Sequence, residues 1–194
     1  MKMKLKNIQK MNFTAIDFET ANADFPCEIG LSKVENGVII ESKSWLIKPA
    51  CFPYMNYWNQ KVHGISSKDV SNSCTFEELW REIKSWIDDS ILVAHNAAFD
   101  MKVLKASLAY YDLALPNTDY FCSVSLSRKV WTQLPNHTLK TVSEFHNIIF
   151  QHHRAGDDAK ACALITLKAM ETIEAKHLEE GLKQIGVKLK RLEY

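Results

Sequence analysis

Long uninterrupted apolar runs are missing from this 194-residue sequence, so no segment is expected to span a bilayer. The basic opening Met-Lys-Met-Lys-Leu-Lys is not followed by an apolar stretch either, which argues against a secretory signal. No Cys-x-x-Cys pair occurs among the scattered cysteines Cys27, Cys51, Cys74, Cys122 and Cys162. Their odd number and spacing point away from a disulfide framework and from a structural zinc site, and a reduced, cytoplasmic protein is expected. Strong charge of either sign is missing too, the formal net charge being +1. That argues against gripping long duplexes through a broad basic face, but leaves room for a small site that holds one strand end. There is no internal repeat and no low-complexity segment.

What is present fits one ordinary domain with a real core: 46% hydrophobic and 24% charged residues. Residues 1–11 read as a loose leader. Asn12 to Thr20 reads as a strand apolar on both faces, followed by a connection from Ala21 to Pro26. Glu28 to Val34 and Val38 to Ile47 are β-rich runs around Asn36-Gly37, a hairpin signal, so three antiparallel strands are expected. Pro49 to Gln60 reads as an irregular loop leading into Val62-His63-Gly64-Ile65. From Phe76 to Ile87 the apolar period becomes helical, and Thr75 with Glu78 has the spacing of a capping box. Ile91 to Ala94 reads as a buried strand feeding a helix through Tyr111, with His95-Asn96 at the junction. A short strand at Tyr120 to Ser123, helical pieces at 124–131 and 139–145, and a helix from about Asp157 to Ala175 follow. Leu178, Leu182, Ile185, Leu189 and Leu192 also fit a helical stripe, weakened by Gly181 and Gly186.

Acids break this apolar pattern in informative places. Asp17 and Glu19 lie on the same face at the end of the first strand, about 7 Å apart along the chain. Asp100 opens a helix, and Asp158 sits in the first turn of another, on its core-facing stripe. In an α/β layer architecture with a mixed sheet, strand ends and helix starts gather at one site. Unpaired carboxylates beside a core repel each other and resist desolvation, and oxygen-only donors select hard divalent cations such as Mg²⁺ or Mn²⁺.

These residues carry a resemblance. Asp-Phe-Glu-Thr at 17–20, Ala-His-Asn-Ala-Ala-Phe-Asp at 94–100 and His-Arg-Ala-Gly-Asp-Asp-Ala at 153–159 resemble the three motifs of the DEDD 3′–5′ exonucleases in their histidine-bearing, DEDDh subclass. The chain looks most like the proofreading exonuclease (epsilon) subunits of bacterial DNA polymerase III and their stand-alone relatives. The resemblance covers roughly residues 12–174, leaving 175–194 as a helical extension or linker stub. It implies a ribonuclease H-like mixed central sheet flanked by helices.

It also implies a reaction. Asp17, Glu19, Asp100 and Asp158 would hold two Mg²⁺ or Mn²⁺ ions, which about 3.5–4 Å apart can activate water and neutralise charge on the phosphate. His153 would be the general base, and Thr20, His63, Asn96 and Phe99 would surround the terminal nucleotide. The expected substrate is the 3′ end of single-stranded DNA, with RNA as the alternative, and a DNA polymerase catalytic subunit is an implied partner. A non-catalytic strand-end-binding module is the reading from another class, disfavoured by the intact acids and histidine. By their own patterns, Phe99 is expected in core packing, His95 in a structural role, and His152 in a solvated loop. Gly156 departs from the bulky apolar residue relatives usually carry there, which is expected to loosen the loop holding His153.

Overall fold

The structure, a computed structural model, describes residues 10–194, so residues 1–9 of the expected leader lie outside the described residues. Strands β1 (Phe13–Asn22), β2 (Phe25–Glu35) and β3 (Val38–Leu46) form the antiparallel meander. Asn36 at φ 50° and Gly37 at φ 77° make the tight turn between β2 and β3, which demands positive φ at both positions. The expected connection after β1 is shorter than its composition suggests. The β1–β2 ladder runs on to Asn22 opposite Phe25 through register shifts, and Ala23 at φ 46° turns the chain.

Strand β4 (Ile91–Ala94) pairs parallel with β1, β5 (Asp119–Cys122) pairs parallel with β4, and β6 (Lys190–Arg191) pairs antiparallel with β5. The order β3-β2-β1-β4-β5-β6 places β1 in the interior of a mixed sheet. Helices α3 (Phe76–Ile87) and α4 (Ala97–Tyr110) cover one face, packing on Ile16, Phe18, Ile29 and Leu31. The capping box at Thr75 and Glu78 forms as the sequence predicts. Helices α5 (Ser123–Val130), α6 (Leu139–Phe145), α7 (Ala155–Thr172) and α8 (Leu178–Gln184) gather on the other face around Phe13, Ala15, Val93 and Phe121. Fully burying such side chains contributes about 1.5–3 kcal/mol each, so both faces hold β1 in place.

Two short helices, α1 (Tyr57–His63) and α2 (Ser67–Val70), stand where a loop is expected. The Asn56 side chain accepts from the N–H groups of Trp58 and Asn59, and Gly64 at φ 75° ends α1. Exposed Tyr57 and Trp58 hide this helix from a reading based on apolar periodicity. The stripe over 178–192 departs from helix after Gln184. Gly186 at φ 70° turns the chain so that Lys190 and Arg191 can pair with β5 while Leu192 stays buried.

Candidate active site

Because side chains alternate along β1, Asp17 and Glu19 continue the face of Phe13 and Ala15 and meet α7, whose first turn carries Asp158. Carboxylate oxygens of Asp17, Glu19 and Asp158 lie within 4.8 Å of one another. Asp100 reaches the same strand end from α4, on the other face. Its Oδ1 accepts the Phe18 N–H at 3.1 Å, so the backbone between the two strand acids orients it. The four acids border a single cavity of about 580 Å³ together with His152, His153, Asn96 and Phe99. A larger cavity of about 860 Å³ opens at the start of β1, far from these acids, so size alone does not mark the site.

The loop before α7 is folded by the helix's own acids. Asp157 accepts the Gln151 N–H at 3.0 Å and Asp158 Oδ2 accepts the His153 N–H at 3.1 Å. His153 takes φ 64°, a left-handed conformation that costs a non-glycine residue free energy. Its ring lies 3.9 Å from that of His152, nearly parallel, and its Nδ1 stands 3.7 Å from Glu19 Oε1. His152 differs from expectation: though exposed, its Nδ1 lies 3.1 Å from Asp158 Oδ2, because the tight turn folds both rings toward the acids.

Gly156 does not loosen this loop. It belongs to α7, and a Cβ there would meet Ser44 Cβ of β3 at 3.0 Å. A Cβ on Gly30 of β2 would lie 1.9 Å from the Ala155 carbonyl oxygen. The start of α7 is thus seated directly on the sheet, and that close approach holds Asp158 against Asp17 and Glu19.

Electrostatics at this point are unfavourable to bare negative charge. Burial raises Glu19 to about 8, helped by Asp158 and Glu28 and opposed by Arg154. Burial raises Asp100 to about 8 against the lowering effect of its backbone hydrogen bonds. Asp17 is pushed well up by burial and then by Asp100, Asp158, Glu19 and Glu28. Asp158 is raised by burial, with His152 pulling the other way. Among the described residues no lysine or arginine pairs with any of the four. A compact set of hard oxygen donors that repel one another fits divalent cations. His153 is held below the usual imidazole value by burial and by the neighbouring His152 and His63, which favours its neutral form.

The other expected residues divide. Phe99 is 40% exposed and lines the cavity, because the buried stripe of α4 runs through Ala97, Met101, Leu104 and Leu108 instead. Asn96 is also at the cavity, at φ 81° at the start of α4. Thr20 and His63 are buried. His63 Nδ1 accepts the Ile65 N–H at 3.0 Å, so its Nε2 carries the hydrogen facing the Thr20 carbonyl at 3.2 Å. His95, as expected, is structural: Nδ1 to Ser123 Oγ at 2.8 Å and Nε2 to the His137 carbonyl at 2.9 Å. Burial lowers it to about 4, so it bridges as a neutral ring.

Two supporting residues escape sequence reasoning. Asn59 Nδ2 donates to the Thr20 carbonyl at 2.9 Å, and nothing in its loop-like surroundings signals this. Glu28, buried on β2 opposite Glu19, accepts the Ala155 N–H at 3.2 Å and faces Arg154 at 3.5 Å. An acid between Cys27 and Ile29 in a β-rich run was its signal.

A family model described as RNase_T, Exonuclease, matches residues 14–166. The chain belongs to this exonuclease family. Among curated relatives, the chain is 31% identical over 179 residues to a DNA polymerase III PolC-type of Caldanaerobacter subterraneus subsp. tengcongensis. That match spans 90% of this chain but 12% of the relative. It is 31% identical over 172 residues to the 3′-5′ exonuclease DinG of Bacillus subtilis, spanning 86% of this chain and 18% of that protein. Its fold is similar to exonuclease X, solved in complex with 5′ overhanging duplex DNA, at TM-score 0.70 and 22% identity over 87% of this chain and 98% of that one. It is also similar to the nuclease domain of 3'hExo, a DEDDh family member bound to rAMP, at TM-score 0.69 and 15% identity, covering 97% and 98%. The fold of this chain is ribonuclease H-like.

Proposed function

We propose that the chain is a metal-dependent 3′–5′ exonuclease that shortens single-stranded DNA from its 3′ end, releasing nucleoside 5′-monophosphates. The observation that carries this is the convergence of Asp17, Glu19 and Asp158 oxygens within 4.8 Å, beside a His153 ring 3.7 Å from Glu19. Asp17, Glu19 and Asp158 would hold one Mg²⁺ or Mn²⁺ ion, and Asp17 with Asp100 a second. Bound there, such ions polarise the attacking water and offset the charge growing on the phosphate and the leaving oxygen.

The chain's own groups do the rest. His153, neutral at cellular pH, takes a proton from the attacking water at Nε2, since Nδ1 faces Glu19. The water oxygen bonds to phosphorus, the P–O3′ bond breaks, and the shortened strand leaves with a 3′-hydroxyl protonated from solvent. Asp158 accepts the His153 N–H and so fixes the base relative to the acids. Phe99 and Asn96 receive the terminal nucleotide, which must be peeled from any partner to enter the cavity. Thr20 and His63, both buried and bonded to each other, do not line the cavity.

The name of the DNA polymerase III PolC-type relative favours DNA. The PolC-type match favours action beside a DNA polymerase catalytic subunit. Oligonucleotides of DNA and of RNA, labelled at either end and incubated with Mg²⁺, Mn²⁺ or chelator beside an Asp17→Ala variant, test the proposal. The expected result is laddering from the 3′ end of DNA that requires both metal and Asp17. Faster cutting of RNA would overturn the substrate, and cutting in chelator would overturn the mechanism.

A further inference from the structure

Asn96 lines a second cavity besides the active-site one. This neighbour, about 420 Å³, is walled by Ala98 at the start of α4, Tyr120 and Cys122 of β5, and Lys129 of α5. The turn at Gly186 and the return of β6 bring Lys188 and Lys190 to its remaining side. Among the described residues no acid lines it, and none of Lys129, Lys188 and Lys190 takes part in an ion pair. On a chain of net charge +1, three such ammonium groups around one hollow are a local concentration of positive charge. Positive charge also continues between the cavities, since α5 turns Arg128 toward the active site and Lys129 toward the second hollow.

The geometry points to a second, cationic subsite: the lysine-lined cavity beyond Asn96 holds phosphodiesters of the same strand, upstream of the linkage being cut. This rests on reading the neighbouring cavity as the seat of the 3′ end. The chemistry suits a strand and not a single nucleotide. Ammonium groups on flexible stems neutralise successive phosphates without reading sequence. Substrates long enough to cross Asn96 gain these interactions, whereas a strand short enough to stay within the active-site cavity does not.

Binding measured without cleavage separates this subsite from the reaction. Fluorescence anisotropy of 5′-labelled DNA oligonucleotides about 3 and about 12 nucleotides long, in chelator, compares the wild-type chain with Lys129→Ala/Lys188→Ala/Lys190→Ala. The triple variant is expected to weaken binding of the longer strand roughly tenfold and to flatten its log affinity against log salt by about 2, at ~0.7 for each phosphate no longer neutralised. The short strand should bind unchanged, and the corresponding triple arginine variant should retain wild-type behaviour on both. Unchanged affinity and salt slope for the longer strand, or an equal loss on both strands, would overturn the subsite. Failure of the wild-type chain to cut DNA would overturn the exonuclease reading and leave this binding result standing by itself.

Discussion

At φ 64°, stacked on His152 and facing Glu19, His153 is a strained residue whose backbone N–H is tied to Asp158. Such strain persists where neighbouring structure over-determines it, and here it places an imidazole beside the acids. His153→Ala is expected to cut turnover by roughly 10²-fold or more, while Mn²⁺ binding, followed by calorimetry, is retained. Burial and its neighbours hold His153 below the ordinary imidazole value, which favours its neutral form. At saturating metal, the acid limb of kcat/KM should therefore lie below that of an ordinary imidazole, about 6.5; a limb well above that would assign the base elsewhere. The acids were legible from residue spacing because a strand's two-residue period puts Asp17 and Glu19 on one side. The contact of His152 with Asp158 was not, because two adjacent histidines in a turn give no periodicity to follow.

Among the elements, the seating of α7 on β2 decides whether distant acids meet. A Cβ at Gly30 would overlap the Ala155 carbonyl, a backbone atom that cannot rotate away. Gly30→Ala should cost about 3 kcal/mol, read as a fall in thermal midpoint, and should lower kcat by moving Asp158 and His153 with the helix. A variant with wild-type stability and rate would mean that this close approach is not needed. The helices with a clear apolar stripe, and the hairpin at Asn36-Gly37, were legible in the sequence. Helix α1 was not, since its signal lies in the Asn56 cap and the Gly64 stop. The tail misled because its leucines repeat at helical spacing, yet Gly186 lets it return as β6.

On the scale of the whole molecule, burying carboxylates at the end of an interior strand sets folding against charge. Glu19 and Asp100 titrate near 8 in the folded chain, above ordinary values of 4.5 and 3.8. At these two carboxyls the folded state binds more protons than the unfolded one between about pH 4.5 and 8. His95, lowered to about 4, acts the opposite way up to about 6.5, so it is from about pH 7 to 8 that stability of the metal-free chain falls as pH rises. Its thermal midpoint should be lower at pH 8 than at pH 7, and Mn²⁺ should raise the midpoint more at pH 8. A midpoint independent of pH and metal would contradict this. Among the described residues no helix is long and apolar enough to cross a membrane.

Anomalous scattering from Mn²⁺ in crystals grown with a nucleoside 5′-monophosphate would examine the acids most directly. Two manganese peaks sharing Asp17 are expected, one completed by Glu19 and Asp158 and the other by Asp100. No peak at these acids, or a single ion that leaves Asp100 without a metal, would contradict the two-metal exonuclease.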